Sequence, residues 1–500
     1  MISRKEVKAY SAMPPVFEDI TCGLASAPKL PKPMVKETRR VIALARKFNK
    51  EVVRPYALEL DSKLQASPDY IPWDFVEQAN EWGLYTGWIP KIFGGKGWNM
   101  PSLAYFIEEI ASECLAMANL VGVHYLGVST LTSTGNVRLI NQICRQVAAG
   151  EKTHTPCLVS LATTEPGAGT DAEEIDLMDK GTMTCTAERV PGGYKLNGTK
   201  VFISNGHLST WHMVIAYSDT SKPSENTVVL AVKTGDKGFS FGRKEQKMGQ
   251  KGCPASELIF KDCFVPDEYV CFSPEQIRSL KRTVRETGMQ MIDYVVSTTR
   301  AGVGAFGTGA ARGAYNEAKK FAAETEVGGK RLINHEWAQC MLAEMLKNVM
   351  TARLTYVEAN SANGLYGAFR DLQRKPMFYY YRLMPAKFFD KMVSPMLEKA
   401  FMTKTFRRVQ LDGQTDEEIH RTSGWASLSK VAATDLGIRN CHMALELMGQ
   451  HGLRRSYRVE KMLRDAKLLQ IYEGTNQLNR LNIFKCMIAG DCPQAVIFDE

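Results

Sequence analysis

The stretch VPGGYKLNGTKVFISNG, residues 190–206, decides how the rest of the chain is read. Two turn dipeptides, Gly192-Gly193 and Asn197-Gly198, stand between runs rich in Tyr, Thr, Val, Phe and Ile. Turn residues between strand-favouring runs signal β-hairpins. The same texture extends from about Cys157 to Phe272 through CLVSLATTEP, WHMVIAYSD, NTVVLAVKTG, FSFGRKE and ELIFKDCFVP, with Gly, Asn, Asp and Pro between them. This block reads as an antiparallel sandwich or barrel.

On both sides the period changes to that of a helix. VKETRRVIALARKFNKEVVRPYALELD places Val35, Val41, Ile42, Ala45, Phe48 and Val52 on one stripe, which Pro55 is expected to interrupt. From about Pro274 to Ile488 the helical period returns. The expected architecture is α+β and multi-domain: an arm over 1–32, an N-terminal helical domain over 33–155, a middle antiparallel β domain over 156–273, and a C-terminal four-helix-bundle domain over 274–490. The arm holds four prolines and little periodicity.

Bulk properties narrow the function. The net charge of +9 is modest for 500 residues, and dense Lys/Arg blocks interleaved with aromatics are absent, which disfavours nucleic acid. No apolar run approaches the roughly 18 residues of a membrane span, and the N-terminus has no apolar leader core. Twelve scattered cysteines form no CxxC pair, so reduced, mostly buried thiols are expected and no metal site. A cytoplasmic protein is the resulting expectation.

Near the C-terminus, AKLLQIYEGTNQLNR (466–480) poses a chemical question. Val459, Met462, Leu463, Ala466 and Leu469 form an apolar stripe, and its continuation reaches the carboxylate of Glu473 beside Gly474. An acid near a helix end ordinarily turns to solvent; an inward one is a candidate base, because burial raises its proton affinity.

Five stretches in register, LATTEPGAGTDAEEI (161–175), YKLNGTKVFISNG (194–206), FGRKEQKMGQKGCPASELIFKDCFVP (241–266), RDAKLLQIYEGTNQLNR (464–480), and PYALELD followed by WGLYTGWIPKIFGGKG, together resemble the acyl-CoA dehydrogenase flavoproteins. The resemblance covers roughly residues 35–365 and 420–490 and carries the family's helix–β–helix fold. It implies FAD as cofactor and α,β-dehydrogenation of an acyl-CoA thioester, with Glu473 as base and flavin N5 receiving hydride. The same site run backwards is an enoyl-CoA reductase. It also implies that Thr170, Arg300, Tyr472 and Gly474 meet the substrate. Thr164, Phe202, Ser204, Gln450, Gly452, Thr475 and Gln477 would hold FAD, with Gln450 and Gly452 acting on a neighbouring subunit's cofactor. A homodimer or homotetramer, and an electron-transferring flavoprotein as acceptor, follow from the same likeness. Some relatives carry the base on another helix; the matching position here is Thr299, which has no carboxylate.

Plainer readings stand beside these. TEPGAG serves as a strand-exit turn, Phe202 as a core aromatic, Arg300 as a surface cation, and Thr475 as the cap of a helix starting near Asn476. An acyl-CoA oxidase, a lyase-like relative and a non-catalytic protein of the same fold are the alternatives. Two departures from the family pattern matter. In ETEVGGKRLINHEWA (324–338), Thr325 stands where relatives carry an arginine for the FAD pyrophosphate, Gly328 replaces a phenylalanine and Glu336 a glutamine, leaving Lys330 or Arg331 as substitutes. Residues 366–421 form an insertion with eleven Lys/Arg, seven Asp/Glu and an aromatic cluster at Phe378–Tyr381. It is expected to be a helical hairpin packed on its own or a neighbouring subunit, with a docking surface for an electron acceptor or membrane as the sharper reading.

Overall fold

The computed structural model describes residues 32–277, 280–367, 370 and 374–499; the arm expected over 1–32 lies almost wholly outside them. Helix α1 (Lys32–Phe48) passes through a π turn (Asn49–Val53) into α2 (Arg54–Ala66), with α3 (Trp73–Glu81) following. Pro55 therefore does not break the stripe. It falls in the first turn of α2, where its missing N–H is tolerated, and the wide π turn relieves the ring's clash with the preceding carbonyls. Val41, Ala45, Phe48 and Val52 are buried as expected, while Val35 is exposed.

Helices α4 (Met100–Ala111), α5 (Leu115–Ser133) and α6 (Val137–Thr153) complete the N-terminal layer. Helix α5 is the one described helix long and apolar enough to cross a membrane, contrary to the sequence expectation, but nearly all of it is buried among the other helices. Its apolar surface is used by the protein core.

The middle region is one eight-stranded sheet. Its strands are β1 (Val159–Ala162), β2 (Thr186–Val190), β3 (Gly193–Ser204), β4 (Trp211–Tyr217), β5 (Thr227–Lys233), β6 (Phe239–Lys244), β7 (Ala255–Pro266) and β8 (Val270–Phe272). The order is β6-β7-β3-β2-β4-β5-β8, with β1 added in parallel to β4 and most other pairs antiparallel. Strands β5 and β7 touch although three strands separate them in the sheet, so it curls over its own apolar core. Of the two expected turns, only the first forms, and it lies one residue earlier than Gly192-Gly193. Val190 pairs with Gly193, leaving Pro191-Gly192 as the hairpin loop with Gly192 at φ +81°. Asn197-Gly198 lies inside β3 as a bulge against β7, where the Asn197 side chain accepts the Asp262 amide at 2.7 Å.

Helices α7 (Val284–Glu324), α8 (Glu336–Tyr366) and α11 (Asp416–Met448) form the C-terminal bundle, with short helices α12 (Val459–Lys467) and α13 (Asn476–Ile483) packed on α11. Capping boxes start two of the long helices, Thr283 with Glu286 and Thr415 with Glu418. Between α8 and α11 the insertion contributes α9 (Lys375–Leu383) and α10 (Ala400–Leu411). It docks on its own N-terminal layer and the edge of the sheet: Arg145 pairs with Asp390 at 2.7 Å, Asn141 donates to Glu398 at 2.6 Å, and buried Arg407 donates to the carbonyls of Thr134 and, on β8, Cys271 at 2.9 and 2.8 Å.

Candidate active site

A cleft of about 120 Å³ opens where α4, α5 and α7 meet the end of β3 and the segment before α13. Leu103, Ile107 and Phe306 give it an apolar wall, and Ser204, Tyr472 and Glu473 are among its polar groups. Glu473 does not arrive there by helical register. Helix α12 and a following 3-10 turn end at Gln470. Glu473 and Gly474 then both adopt left-handed backbone, with φ +57° and +70°, and it is this reversal that turns the carboxylate inward. For a glutamate that conformation costs on the order of 1 kcal/mol, so neighbours must hold it.

They do so through the backbone. The Glu473 carbonyl accepts from Arg300 Nε at 3.1 Å and Asn479 Nδ2 at 3.2 Å. The Gly474 carbonyl accepts from Asn479 at 3.0 Å and from the buried ammonium of Lys430, which also donates to Asn476 at 3.1 Å. A side chain on residue 474 would lie 2.9 Å from Leu478 and 3.2 Å from Arg300, so glycine alone fits. Thr475 caps α13 by accepting the Leu478 amide at 3.2 Å.

The carboxylate itself accepts from Thr299 Oγ1 at 2.6 Å. Burial raises the proton affinity of Glu473 above that of an ordinary carboxylate, while Thr299, Arg300 and Lys430 draw it part of the way back. A second acid belongs to the same cluster. Glu173, on the 3-10 turn Thr170–Glu173, is pushed up to about 7, first by burial and then by the charge of Glu473. Its Oε2 and Arg300 Nη2 face each other at 3.7 Å, and each lacks a hydrogen-bond partner. Lys430 is pushed down to about 7 by burial and then by Arg300. Two acids and two cations thus share one desolvated pocket.

The remaining expected residues are distributed around this centre. Arg300 is buried, at 2 % exposure, so the surface-cation reading is overturned. Tyr472 reaches Gln250 at 3.4 Å. Thr164 lies early in the loop after β1, its carbonyl accepting the Val201 amide at 2.9 Å. Phe202 has φ +57° and is 56 % exposed, two residues from the cleft-lining Ser204. This ring therefore lies bare beside the cleft instead of in a core, which fits a planar cofactor stacking on it. Thr170 is half-buried at the head of the Glu173 turn. Exposed Gln450 and buried Gly452 lie on the turn after α11, and Gln477 is exposed on α13; none of the three lines the cleft. The 324–338 loop holds a short hairpin in which Lys330 donates to the Asn334 carbonyl at 3.2 Å and Arg331 to the Ala323 carbonyl at the end of α7 at 2.8 Å, so both cations are engaged locally.

Sequence reasoning missed Glu173, Lys430 and the role of Thr299. Glu173 sits three residues beyond Thr170 in a motif already singled out, and an acid there was the available signal. Lys430 lies in the middle of α11 among Ala, Ser and Leu, where only its apolar company hinted at burial.

Models of the acyl-CoA dehydrogenase N-terminal, middle and C-terminal domains match residues 36–151, 160–263, and 286–364 with 405–488. The break in the last match falls largely within the insertion. The chain is 27% identical over 461 residues to the probable acyl-CoA dehydrogenase FadE25 of Mycobacterium tuberculosis, covering 92% of this chain and 96% of the relative. In fold it is similar to butyryl-CoA dehydrogenase from Megasphaera elsdenii, with TM-score 0.68, 22% identity, and 92% and 98% of the two chains covered. It is also similar to a chain from work on the electron transferring flavoprotein of Acidaminococcus fermentans, with TM-score 0.69, 22% identity, and 90% and 98% covered.

Proposed function

This chain belongs to the acyl-CoA dehydrogenase family, and on that premise we propose that it oxidises an acyl-CoA thioester to the α,β-enoyl-CoA with Glu473 as the base. The observation that carries the reading is a carboxylate turned into an apolar cleft by a strained, multiply anchored backbone. An α C–H is weakly acidic, so its removal needs an acceptor of raised proton affinity in a water-poor site. Burial provides that affinity, and Thr299 fixes the direction of the carboxylate. Arg300, Lys430 and Asn479 hold the two carbonyls on either side of the turn, so the base keeps its position while its charge changes.

A bound FAD supplies the acceptor for the β hydrogen. Phe202, Ser204 and Thr164 would hold its ring, and Thr475, Gln477, Gln450 and Gly452 its distal part, the last two from a second copy. The apolar cleft wall takes the acyl group, and Thr170 would meet the CoA thioester arm. An electron-transferring flavoprotein as acceptor, a homo-oligomeric state and a cytoplasmic setting complete the proposal. The free, mostly buried cysteines among the described residues suit a reducing compartment.

The test is an anaerobic titration of the purified yellow protein with acyl-CoAs. The flavin of the wild type bleaches, whereas Glu473→Gln binds both cofactor and thioester without bleaching. Normal bleaching in that variant would overturn the assignment.

A further inference from the structure

A second cavity, larger than the catalytic cleft, lies outside it. It measures about 470 Å³, against about 120 Å³ for the cleft. Trp88 and Met100 line both spaces, so the two are neighbours on either side of these side chains. Helix α5 runs along both as well, giving Leu126 and Ser129 to the cleft and Val128 and Thr132 to the cavity. The roof is the insertion. Phe378, Tyr381 and Arg382 lie on one face of α9 at helical spacing and close the space over Trp98. The roof is pinned, because Arg382 pairs with Glu37 at 3.2 Å and Tyr381 stacks on buried Phe389 at 5.8 Å.

The lining has two characters. Trp88, Trp98, Met100, Val128 and Phe378 make an apolar body. Around it stand four cations, Arg40, Lys91, Lys96 and Arg382, against one lining acid, Glu37. Lys96 is neutralised by Glu151 at 3.0 Å and Arg382 by Glu37. Among the described residues Lys91 donates only to the Arg382 carbonyl, at 3.4 Å, and neither it nor exposed Arg40 has an acidic partner there. Two cations facing an apolar chamber form a site for an anion carried at the end of an apolar body.

Resting on the proposed dehydrogenation, we infer that the substrates are long acyl-CoAs ending in a carboxylate, the distal half of the acyl group passing Trp88 and Met100 into the chamber under α9 and its terminal anion meeting Lys91 and Arg40. Met100 is an unbranched, adaptable side chain suited to lining such a passage. The chemistry stays at Glu473; the chamber selects what reaches it.

The experiment compares butyryl-CoA, dodecanoyl-CoA and the CoA monoester of dodecanedioic acid by anaerobic flavin titration of the holoenzyme. The carboxylate-ended ligand is expected to half-saturate the spectral change at a concentration about tenfold below dodecanoyl-CoA, the value of one charge-assisted contact. In Arg40→Gln/Lys91→Gln that advantage falls to about threefold or less, while butyryl-CoA titrates as before. Arg40→Gln alone, at an exposed position, gives a partial loss and serves if the double variant does not fold. Equal half-saturation by the two long ligands, or an advantage that survives the substitutions, overturns the inference while leaving the dehydrogenase reading intact. Failure of every acyl-CoA, butyryl-CoA included, to perturb the flavin overturns both.

Discussion

Two buried acid–cation groups in this molecule combine the same kinds of charge and behave in opposite ways. Glu165, in the loop after β1, and Lys200, on β3, are fully buried and 2.8 Å apart. Lys200 also donates to the Thr163 carbonyl at 2.9 Å, and Glu165 accepts from the Thr184 amide and hydroxyl and the Cys185 amide at 2.6, 2.9 and 3.0 Å. Burial pushes Glu165 up, but the Lys200 charge and these donors more than reverse it, holding the carboxyl below the usual range. In the Glu473 pocket the donors are too few. Glu173 Oε2 and Arg300 Nη2 face each other at 3.7 Å without a hydrogen bond, and both acids are driven up. A desolvated charge with every lone pair filled serves as a fastener; one left short is poised to take a proton.

The largest break in that comparison comes from neutralising one acid of each group. Glu473→Gln is expected to lower turnover roughly a thousandfold with the thermal midpoint unchanged or raised, because the variant relieves a poorly solvated carboxyl. Glu165→Gln is expected to do the reverse, losing about 3–5 kcal/mol of stability by stranding the Lys200 ammonium while the folded flavoprotein turns over normally. The pH sign follows from the lowered carboxyl. The stabilisation from Glu165 is present at neutral pH and lost as pH falls through its folded value, so acid should narrow the gap between wild type and variant. Denaturant midpoints and turnover on the same samples check both. A variant pair in which each acid affects both readouts equally would erase the distinction.

How far the sequence reveals these two groups differs for a physical reason. The helix–β–helix order is legible because period and turn chemistry are local, and the Pro191-Gly192 hairpin shows it. Asn197-Gly198 misleads because a bulge and a turn ask for the same residues; pairing with Asp262 on β7, far along the chain, decides between them. Pro55 misleads because the cost of a proline depends on the turn that precedes it. In the site, Glu473 is legible from its motif, but its inward direction rests on two left-handed residues that no periodicity reports. Lys430 and Glu173 become partners only when α11 and the Thr170–Glu173 turn converge from more than 250 positions apart. Long-range convergence of charge is what a single sequence states least.

A smaller break removes one donor from the poised site. Thr299→Val deletes the 2.6 Å bond to Glu473, the first of the contacts that draw its proton affinity down. The carboxylate then ionises at higher pH and loses its fixed direction. Turnover at neutral pH is expected to fall about tenfold, the value of one hydrogen bond to a charged group, and the acidic limb of the kcat/KM profile should move upward. An unmoved limb would leave Thr299 with a packing role only.

The finest test lies within the pocket. Glu173 and Glu473 lose their protons in two coupled steps, and the second, near Glu173's value of about 7, leaves two anions facing Arg300. Once Glu173 is ionised, its charge favours the protonated form of Glu473, which is the form proton abstraction produces, so the wild-type rate should climb a second time as pH passes about 7. Glu173→Gln removes that step and leaves a single limb from Glu473. The same substitution carries a stability signature. A carboxyl whose folded value is raised stabilises the fold at low pH, and that contribution is lost as pH rises from the ordinary carboxylate range through about 7. Wild type should therefore lose stability relative to Glu173→Gln across this window, opposite in sign to the Glu165 comparison. Rate and unfolding profiles on the pair of proteins read the two effects independently, and a second rise in rate that persists in Glu173→Gln would assign it to Lys430, the other group in the pocket that titrates at about 7.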